Sequence, residues 1–285
     1  MLKFKAATTE DLLQDQKIFE KISFGNTQPS PEDDRDFVAC TPAEVKVEFP
    51  EEYLAPKTEI LDQQVISSCV AHACATALAQ GEENINRSHN IYSRGYIYGN
   101  RKSTDAQGEG MIIRQALKQL HNCGDVLYED FPYNKSYLNV KELISLNKAE
   151  LAKKASKHKI KDFYRCYTDA QIKNTIMTAG GVIICAPVYE NFNRDLHTPE
   201  IRKVKGYHAM VIVGWTKDNK WIVQNSWGIG WGYGGTLLMD NDYPICEYWG
   251  ITVNVSKEDK KSFWQRVADF FIAIGTFFKN LFRKK

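Results

Sequence analysis

Three side chains of this sequence have the chemistry needed for nucleophilic catalysis, and they occur in the order Cys69, His208, Asn225. A neutral thiol is a poor nucleophile near neutral pH, so Cys69 needs a nearby base or a positive environment. The imidazole of His208 can take the thiol proton and later protonate a leaving amine. The Asn225 side-chain oxygen can accept a hydrogen bond from the other imidazole nitrogen, which fixes the tautomer and orientation of the ring.

A fourth residue completes this set. Gln63 lies six residues before Cys69 and carries a side-chain N–H, while the backbone of Cys69 supplies a second donor. Two such donors can hold the oxyanion of a tetrahedral intermediate. The four residues together therefore indicate acyl-transfer chemistry at a thiol.

The elements that must position these groups can be read from the local sequence. An Ala-rich helix is predicted from Ser68 to Leu78, with Ser67 or Ser68 as its cap, so its unpaired N–H groups would favour a thiolate at Cys69. His208 begins a predicted strand, a turn follows at Asp218-Asn219, and a second strand returns toward Asn225. Such a hairpin would bring the histidine and the asparagine together at its open end.

The rest of the chain divides into a mainly helical first half and a mainly β second half. Proline and acidic residues between residues 26 and 45 indicate an extended loop after a helix in residues 1–25. Residues 90–135 are predicted to contain a tyrosine-rich helix, a loop at residues 108–110 and a helix at 111–120 whose end is marked by Gly124. Further helices are predicted at residues 139–159 and from a capping Asp169 to Gly180. Strands are predicted at residues 182–188, 208–215, 221–224 and 235–239.

The motifs resemble those of the papain-like cysteine proteases, with bacterial and phage members as the most similar ones. The resemblance rests on Gln63, the pair Ser68-Cys69, the runs Tyr207-His208-Ala209 and Asn225-Ser226-Trp227-Gly228, and the glycine-rich residues 230–235. It covers roughly residues 26–255 and implies an α+β fold with two lobes, a helical N-terminal lobe and an antiparallel β C-terminal lobe, with the active site in the cleft between them.

The resemblance also implies residue roles. Cys69 would be the nucleophile, His208 the acid and base, Asn225 its orienting partner and Gln63 the oxyanion donor. Trp227 would shield the His208–Asn225 hydrogen bond from water. Gly108 and Gly110 fall where family members pair with the substrate backbone, although both could equally be ordinary turn glycines. The expected function is a cysteine-type endopeptidase that acts on polypeptides through a thioester acyl-enzyme.

Departures from the family pattern surround the nucleophile. Val70 follows it where papain has tryptophan, Ser67 stands where glycine is usual, and Ile66 replaces a disulfide-forming cysteine. The segment before Gln63 is shorter than the inhibitory pro-segment of secreted members. Control of activity is therefore expected to come from elsewhere or to be absent.

Other functional classes stay open at this point. A catalytically silent relative could serve as a structural or binding component, for example in a virion or effector assembly. A peptidyl-transferase would use the same acyl-enzyme, and a cell-wall amidase also uses Cys and His but fits the Gln63 and Asn225 motifs less well. His72 and Cys74, both close to Cys69, are interpreted as helix residues without a catalytic role.

Composition narrows the partners and the compartment. The net charge of +2 gives no global argument for nucleic acid, and 43% hydrophobic residues suit a sizeable core. The seven cysteines are scattered without metal-ligand pairs, which predicts reduced thiols and neither a metal nor an organic cofactor. The first ten residues lack an apolar run of signal-peptide length, so the expected location is cytoplasmic, or phage-associated, or reached by signal-independent export.

The predicted organisation is an N-terminal helix and extended segment (residues 1–45), a catalytic domain (46–255) and an appended segment (256–285). Ser262 and Gln265 form a capping box at the start of an amphipathic helix with an aromatic face and a basic end. Arg266 and Asp269 argue against a membrane span. Residues 262–285 could pack on the domain itself, but their aromatic density favours a membrane surface or a protein partner.

Overall fold

A computed structural model shows how the chain folds. It describes residues 4–22, 27–34, 36–39, 48–102, 109–132, 144–145, 147–198 and 203–254. The helices within these ranges are α1 (Thr9–Phe19), α2 (Cys69–Asn86), α3 (Arg94–Gly99), α4 (Ile113–Asn122), α5 (Lys148–Ala155) and α6 (Asp169–Ala179). The strands are β1 (Tyr53–Leu54), β2 (Ile160–Arg165), β3 (Val182–Val188), β4 (Asp195–Leu196), β5 (Gly206–Trp215), β6 (Lys220–Gln224), β7 (Thr236–Asp240) and β8 (Glu247–Val253).

Helix α2 is the centre of the helical half. Its alanines and its other small or apolar side chains are buried along most of its length, including Val70, Cys74 and Leu78. Small side chains allow α2 to pack closely on both its neighbours: α3 and α4 contact it on one side, and strand β5 contacts it on the other. The helix that carries the candidate nucleophile is therefore held inside the core rather than on the surface.

The β half is one sheet of eight strands in the order β2-β8-β3-β5-β6-β7-β4, with β1 paired to β5. The predicted strands match β3, β5, β6 and β7 within two residues at each end. Four further strands, β1, β2, β4 and β8, belong to the sheet and were not predicted. All pairs of these strands are antiparallel except β4 with β7, so the sheet is mixed, and the predicted α+β class is confirmed.

The β5–β6 hairpin forms as predicted. Asn219 has a left-handed backbone (φ 57°) and its N–H donates to the carbonyl oxygen of Thr216 at 3.1 Å. Asparagine tolerates this conformation better than most residues, so the turn can close over few residues. The hairpin sets His208, near the start of β5, across from the end of β6, where Asn225 follows.

Several local predictions need correction. Thr168, not Asp169, is the N-cap of α6, because its hydroxyl accepts from the Gln171 N–H within a capping box. Ser68 occupies the N-cap position of α2, but its hydroxyl lies against His72 Nδ1 at 3.2 Å and makes no capping bond. The predicted helix over residues 139–159 is described only as α5, since residues 133–143 and 146 lie outside the described part.

The appended segment cannot be compared with its prediction, because residues 255–285 lie outside the described part of the chain. Residues Met1–Val253 form one compact unit, so the N-terminal helix and extended segment belong to the same body as the sheet. No helix in the described ranges has the length and hydropathy required to cross a bilayer.

Two glycines of the segment 230–235 give a matched test of this fold. At Gly232 (φ 65°), an added Cβ would lie 2.3 Å from the Thr236 carbonyl oxygen, whereas at Gly230 it would meet nothing within 4 Å. We expect Gly232→Ala to lower the free energy of unfolding by about 2–3 kcal/mol and Gly230→Ala to change it by less than about 0.5 kcal/mol. Urea unfolding measures both, and equal effects would contradict this account of the loop.

Candidate active site

The candidate nucleophile is the first residue of α2. Cys69 is 1% exposed, and its sulfur lies among hydrogen-bond donors that include the backbone N–H of Ala209. Burial raises the pKa of the Cys69 thiol, while the Thr27 hydroxyl and the Ala209 N–H act in the opposite direction. Ala209 directly follows His208, so the thiol lies beside the histidine that the sequence analysis paired with it.

His208 and Asn225 form the predicted hydrogen bond. Asn225 Oδ1 lies 2.8 Å from His208 Nε2, and the same oxygen accepts from the Ser226 backbone N–H at 2.8 Å. Because that oxygen accepts from Ser226, the hydrogen of the imidazole must sit on Nε2. Nδ1 is then the basic nitrogen. Burial lowers the pKa of His208 to about 4, with the bond to Asn225 opposing the shift, so the ring is neutral near pH 7.

Trp227 covers this hydrogen bond, as predicted. Its ring stacks on the His208 imidazole, with the centroids 4.9 Å apart and 28° between the planes. Phe192 packs on both rings, at 5.2 Å from Trp227 and 6.3 Å from His208. All three side chains are buried, and a buried hydrogen bond without competing water is stronger than an exposed one.

Gln63 is fixed by contacts at both ends of its amide. Its Oε1 accepts from the Ser226 hydroxyl at 2.8 Å, and its Nε2 donates to the Ile66 carbonyl oxygen at 3.0 Å. An amide nitrogen carries two hydrogens, and the bond to Ile66 uses one of them. Ser226 thus contacts both Gln63 and Asn225. The role of Ser226 was not predicted from the sequence, although this residue belongs to the run Asn225-Ser226-Trp227-Gly228.

Of the other residues singled out in the sequence, Gly110, His72 and Cys74 lie in the described part of the chain. Gly108 lies outside the described residues. Gly110 is buried, with φ at 95°, and its N–H donates to the Tyr98 hydroxyl at 3.3 Å, so its N–H is engaged inward. His72 bonds the Ser68 carbonyl oxygen through Nδ1 at 2.9 Å, and burial lowers its pKa to about 3. Burial also raises the pKa of Cys74, which is consistent with its interpretation as a core thiol.

A segment near the N-terminus covers the thiol. Thr27 is 2% exposed and its hydroxyl lies 3.4 Å from Cys69 Sγ. Thr27 thus lies against the thiol, and Cys69 itself is 1% exposed. The segment before Gln63 is short, yet it reaches the thiol, and the expectation that control comes from elsewhere or is absent stays a prediction. No local sequence signal marks Thr27, because its position depends on distant anchors.

The anchors of the segment that contains Thr27 are polar contacts made by Ser30 and Asp36. The Ser30 N–H donates to Glu247 Oε1 at 3.0 Å, and the Ser30 hydroxyl accepts from the Arg114 backbone N–H at 3.2 Å. Asp36 contacts the guanidinium groups of both Arg114 and Arg165, the latter at 3.2 Å. Each of these side chains is nearly buried, so the ion pairs are shielded from screening by salt.

Helix α1 adds a second layer over the site. Phe19 packs against Phe192 and Trp227, with centroid distances of 6.1 and 6.0 Å. Asp15 pairs with Arg194 at 2.6 Å and accepts from the Gly232 N–H at 2.8 Å. The aromatic cover over His208 is therefore itself covered by the N-terminal helix.

The described part of the chain contains no group of three His, Cys, Asp or Glu side chains arranged to hold a metal ion. Its six described cysteines, Cys69, Cys74, Cys123, Cys166, Cys185 and Cys246, are all free. The groups of the described site that can take part in a reaction are thus the thiol, the imidazole and the amides.

Comparison with known proteins decides the family. The profile of the papain family of cysteine proteases matches residues 48–256. The chain belongs to this family. That match includes Gln63, Cys69, His208 and Asn225, and the predicted resemblance to papain-like proteases is confirmed.

Curated relatives of this papain-family chain include viral proteins. An uncharacterised peptidase C1-like protein of Acanthamoeba polyphaga mimivirus is 28% identical over 204 residues, which cover 66% of each protein. A viral cathepsin of the Heliothis zea nuclear polyhedrosis virus is 27% identical over 150 residues, which cover 48% of this chain and 37% of the cathepsin. The chain thus spans less than two thirds of the length of these curated relatives.

Solved structures show the same fold. Xylellain, a cysteine protease from Xylella fastidiosa, superposes with a TM-score of 0.72 at 23% identity, covering 81% of this chain and 97% of xylellain. The procathepsin B of Trypanosoma congolense superposes with a TM-score of 0.67 at 15% identity, covering 85% of this chain and 89% of that one.

The ion pairs of Asp36 predict the reactivity of the covered thiol. Removing one partner of a buried ion pair costs about 3–5 kcal/mol, and a loss of about 1.4 kcal/mol in closing energy already raises the open population tenfold. We therefore expect Asp36→Asn to speed alkylation of Cys69 by iodoacetamide at least about tenfold. Peptide mapping separates Cys69 from the exposed Cys123 and Cys246.

A matched control comes from the same segment. Asp34 is exposed, so Asp34→Asn makes the same chemical change without breaking a buried pair and should leave the rate unchanged. Thermal unfolding by circular dichroism checks that both variants remain folded. Equal alkylation rates in the folded wild type and Asp36→Asn would show that these ion pairs do not hold the cover in place.

Proposed function

We propose that this chain is a cysteine-type endopeptidase that hydrolyses peptide bonds through a thioester on Cys69. The observation that carries the proposal is the His208–Asn225 hydrogen bond of 2.8 Å beside a thiol at the N-terminus of α2. That bond leaves His208 Nδ1 as the basic nitrogen, and the backbone N–H of the next residue, Ala209, contacts the sulfur. Family membership supports the same reaction.

The first half of the proposed reaction forms the acyl-enzyme. The Cys69 thiol gives its proton to His208 Nδ1, and the sulfur attacks the carbonyl carbon of the scissile peptide bond. The carbonyl oxygen becomes an oxyanion that accepts hydrogen bonds from the Cys69 backbone N–H and from Gln63 Nε2. The C–N bond then breaks, and the imidazolium donates its proton to the leaving amine.

The second half releases the product. Water gives a proton to His208 and its oxygen attacks the thioester carbon, after which the C–S bond breaks and the thiolate recovers the proton. Asn225 holds the ring in one orientation throughout both steps, and Trp227 keeps water from competing for the bond between them. Displacement of Thr27 from the sulfur has to come before either half, because the substrate carbonyl needs its place.

An active-site label tests this proposal. Brief treatment with a papain-directed epoxide, followed by intact-mass analysis and peptide mapping, is expected to give one adduct on Cys69. His208→Ala should slow labelling by about 10²–10⁴-fold because the base is lost, while His121→Ala, at an exposed helix position, should not. The same variants are also labelled on the Asp36→Asn background. A negative result there cannot be explained by Thr27 covering the thiol.

The contrary outcomes of this experiment are distinct. Equal labelling of several cysteines, or labelling of Cys69 that does not depend on His208, would mean that the thiol is not activated by the imidazole. Products formed with added amines, in place of free carboxylic acids, would identify a transferase that uses the same acyl-enzyme. Either result would overturn the hydrolytic assignment.

We further infer that residues 262–285 bind a membrane surface. The segment contains five basic residues and one acidic residue, together with seven aromatic side chains spaced as on one face of a helix. Aromatic and apolar side chains on one face and lysine or arginine on the other are typical of helices that lie in the headgroup region of an anionic membrane. The interaction would hold the protease near membrane-associated polypeptides.

Vesicle co-sedimentation tests this inference on the full chain. We expect binding to vesicles that contain an anionic phospholipid, weaker binding to neutral vesicles, and loss of binding when residues 257–285 are deleted. Phe270→Glu should weaken the interaction at least about tenfold, while Gln265→Glu, on the polar face, should weaken it much less. Binding that survives the deletion would contradict the inference, and binding only to a protein would indicate a partner instead.

A further inference from the structure

Glu109 places a carboxylate beside the loop that leads to the candidate nucleophile. Its Oε2 accepts a hydrogen bond from the Ser67 hydroxyl at 2.9 Å, and Ser67 lies two residues before Cys69. Ser67 is 1% exposed, whereas Glu109 is exposed to solvent. A buried hydroxyl, two residues before Cys69 in the chain, therefore fixes one oxygen of a carboxylate that is otherwise exposed to solvent.

The backbone after Glu109 is also held. Gly110 has a φ of 95° and its N–H donates to the hydroxyl of Tyr98, which is buried. With the side chain bonded to Ser67 and the next peptide bonded to Tyr98, the carboxylate is anchored at two points. An anchored charge loses less conformational entropy on binding a partner than a free side chain does.

Within the described part of the chain, the negative charge of Glu109 has no basic side chain paired with it. Within the described ranges, Ser67 is its hydrogen-bonding partner and no lysine or arginine forms an ion pair with it. The buried carboxylates of Asp36 and Glu247 differ from Glu109 in this respect, since both form ion pairs with Arg165. A cation that pairs with Glu109 therefore has to come from outside the described part of the chain.

The proposed reaction places the substrate next to this charge. The scissile carbonyl oxygen has to lie between the Cys69 N–H and Gln63 Nε2, so the residue that supplies this carbonyl lies over the loop 64–68. Ser67 belongs to that loop. The side chain of this substrate residue, or of the residue before it, is therefore the one that can extend to Glu109.

We propose that Glu109 is a specificity-determining residue that selects lysine or arginine within two residues of the scissile bond on its acyl side. The inference rests on the proposed peptidase function and adds a substrate class to it. A cation that bonds to an anchored carboxylate forms a charge-assisted hydrogen bond, which a neutral side chain of the same shape forms only weakly. Ser67 acts as a positioning residue, because it touches the carboxylate and not the substrate.

Matched peptide pairs test this proposal. Each pair carries arginine or its neutral isostere citrulline at one of the two positions, and kcat/KM is measured for both members. The full chain carrying Asp36→Asn serves as the parent, with the wild type alongside. We expect the parent to prefer arginine by about 5- to 20-fold, and we expect this ratio to shrink in high salt, which screens a partly exposed charge pair.

Variants assign the preference to one carboxylate. Glu109→Gln should reduce the ratio to near 1, chiefly by lowering kcat/KM for the arginine peptides, and Glu109→Lys should invert the preference. Ser67→Ala should reduce the ratio by a smaller factor, since the charge stays but its anchor is lost. Asp218→Asn, at the exposed turn of the β5–β6 hairpin, removes the same charge far from the thiol and should change nothing.

The outcomes separate the two proposals. A ratio near 1 in the parent, or a ratio that Glu109→Gln leaves unchanged, would overturn the role of Glu109, while cleavage of the citrulline peptides would leave the peptidase function standing. Failure of every variant to cleave any peptide, together with failure of the epoxide to label Cys69, would overturn both.

Discussion

The site depends on a short backbone pairing between the helical half and the β half of the molecule. Gln63 N–H donates to the Ser226 carbonyl oxygen at 2.8 Å, Gly228 N–H donates to the Leu61 carbonyl oxygen at 3.1 Å, and Asp62 and Trp227 form the bridge between these bonds. The first strand of this pairing leads directly into the loop before α2, and the second follows directly after Asn225. Because adjacent strands lie about 4.8 Å apart, the pairing leaves the amide donor, the thiol and the imidazole little freedom to separate.

Burial has opposite effects on the parts of this site. It strengthens the hydrogen bond between His208 and Asn225, because Trp227 and Phe192 exclude water that would compete for it. It also raises the pKa of the Cys69 thiol and lowers that of His208, so the same burial disfavours the charged forms of both groups. The orienting bond needs a dry environment while the nucleophile needs access, and the segment containing Thr27 lies where that access would be. Its anchors through Asp36 and Ser30 are therefore part of the chemistry of the site as well as of its stability.

Departures from the family pattern acquire a physical meaning in the structure. Ser67 stands where the family usually has glycine, and its hydroxyl is the group that holds Glu109 beside the loop. A glycine at this position has no side chain to bond, and a carboxylate at residue 109 would then keep its full rotamer freedom. The family profile and the xylellain superposition establish the family and the fold, respectively, but relatives at 28% and 23% identity do not carry a subsite from one chain to another.

The sequence by itself determined the elements whose signals are local. Helix α2 is Ala-rich in its first half, and the β5–β6 hairpin has an Asp-Asn turn between two apolar runs. Both could be predicted together with the site residues that they carry, Cys69, His208 and Asn225. The motif order indicated Gln63 and Trp227 as well. Strand β2 could not be predicted in this way, because its burial does not alternate along the chain and depends on its partner β8. Four contacts are visible only in the folded chain. Thr27 covers the thiol, Ser226 links Gln63 to Asn225, and Ser67 holds Glu109. Each of these contacts except the one between Ser226 and Asn225 joins residues at least 42 positions apart, and contacts at that separation leave no periodicity or capping signal in the segments that make them.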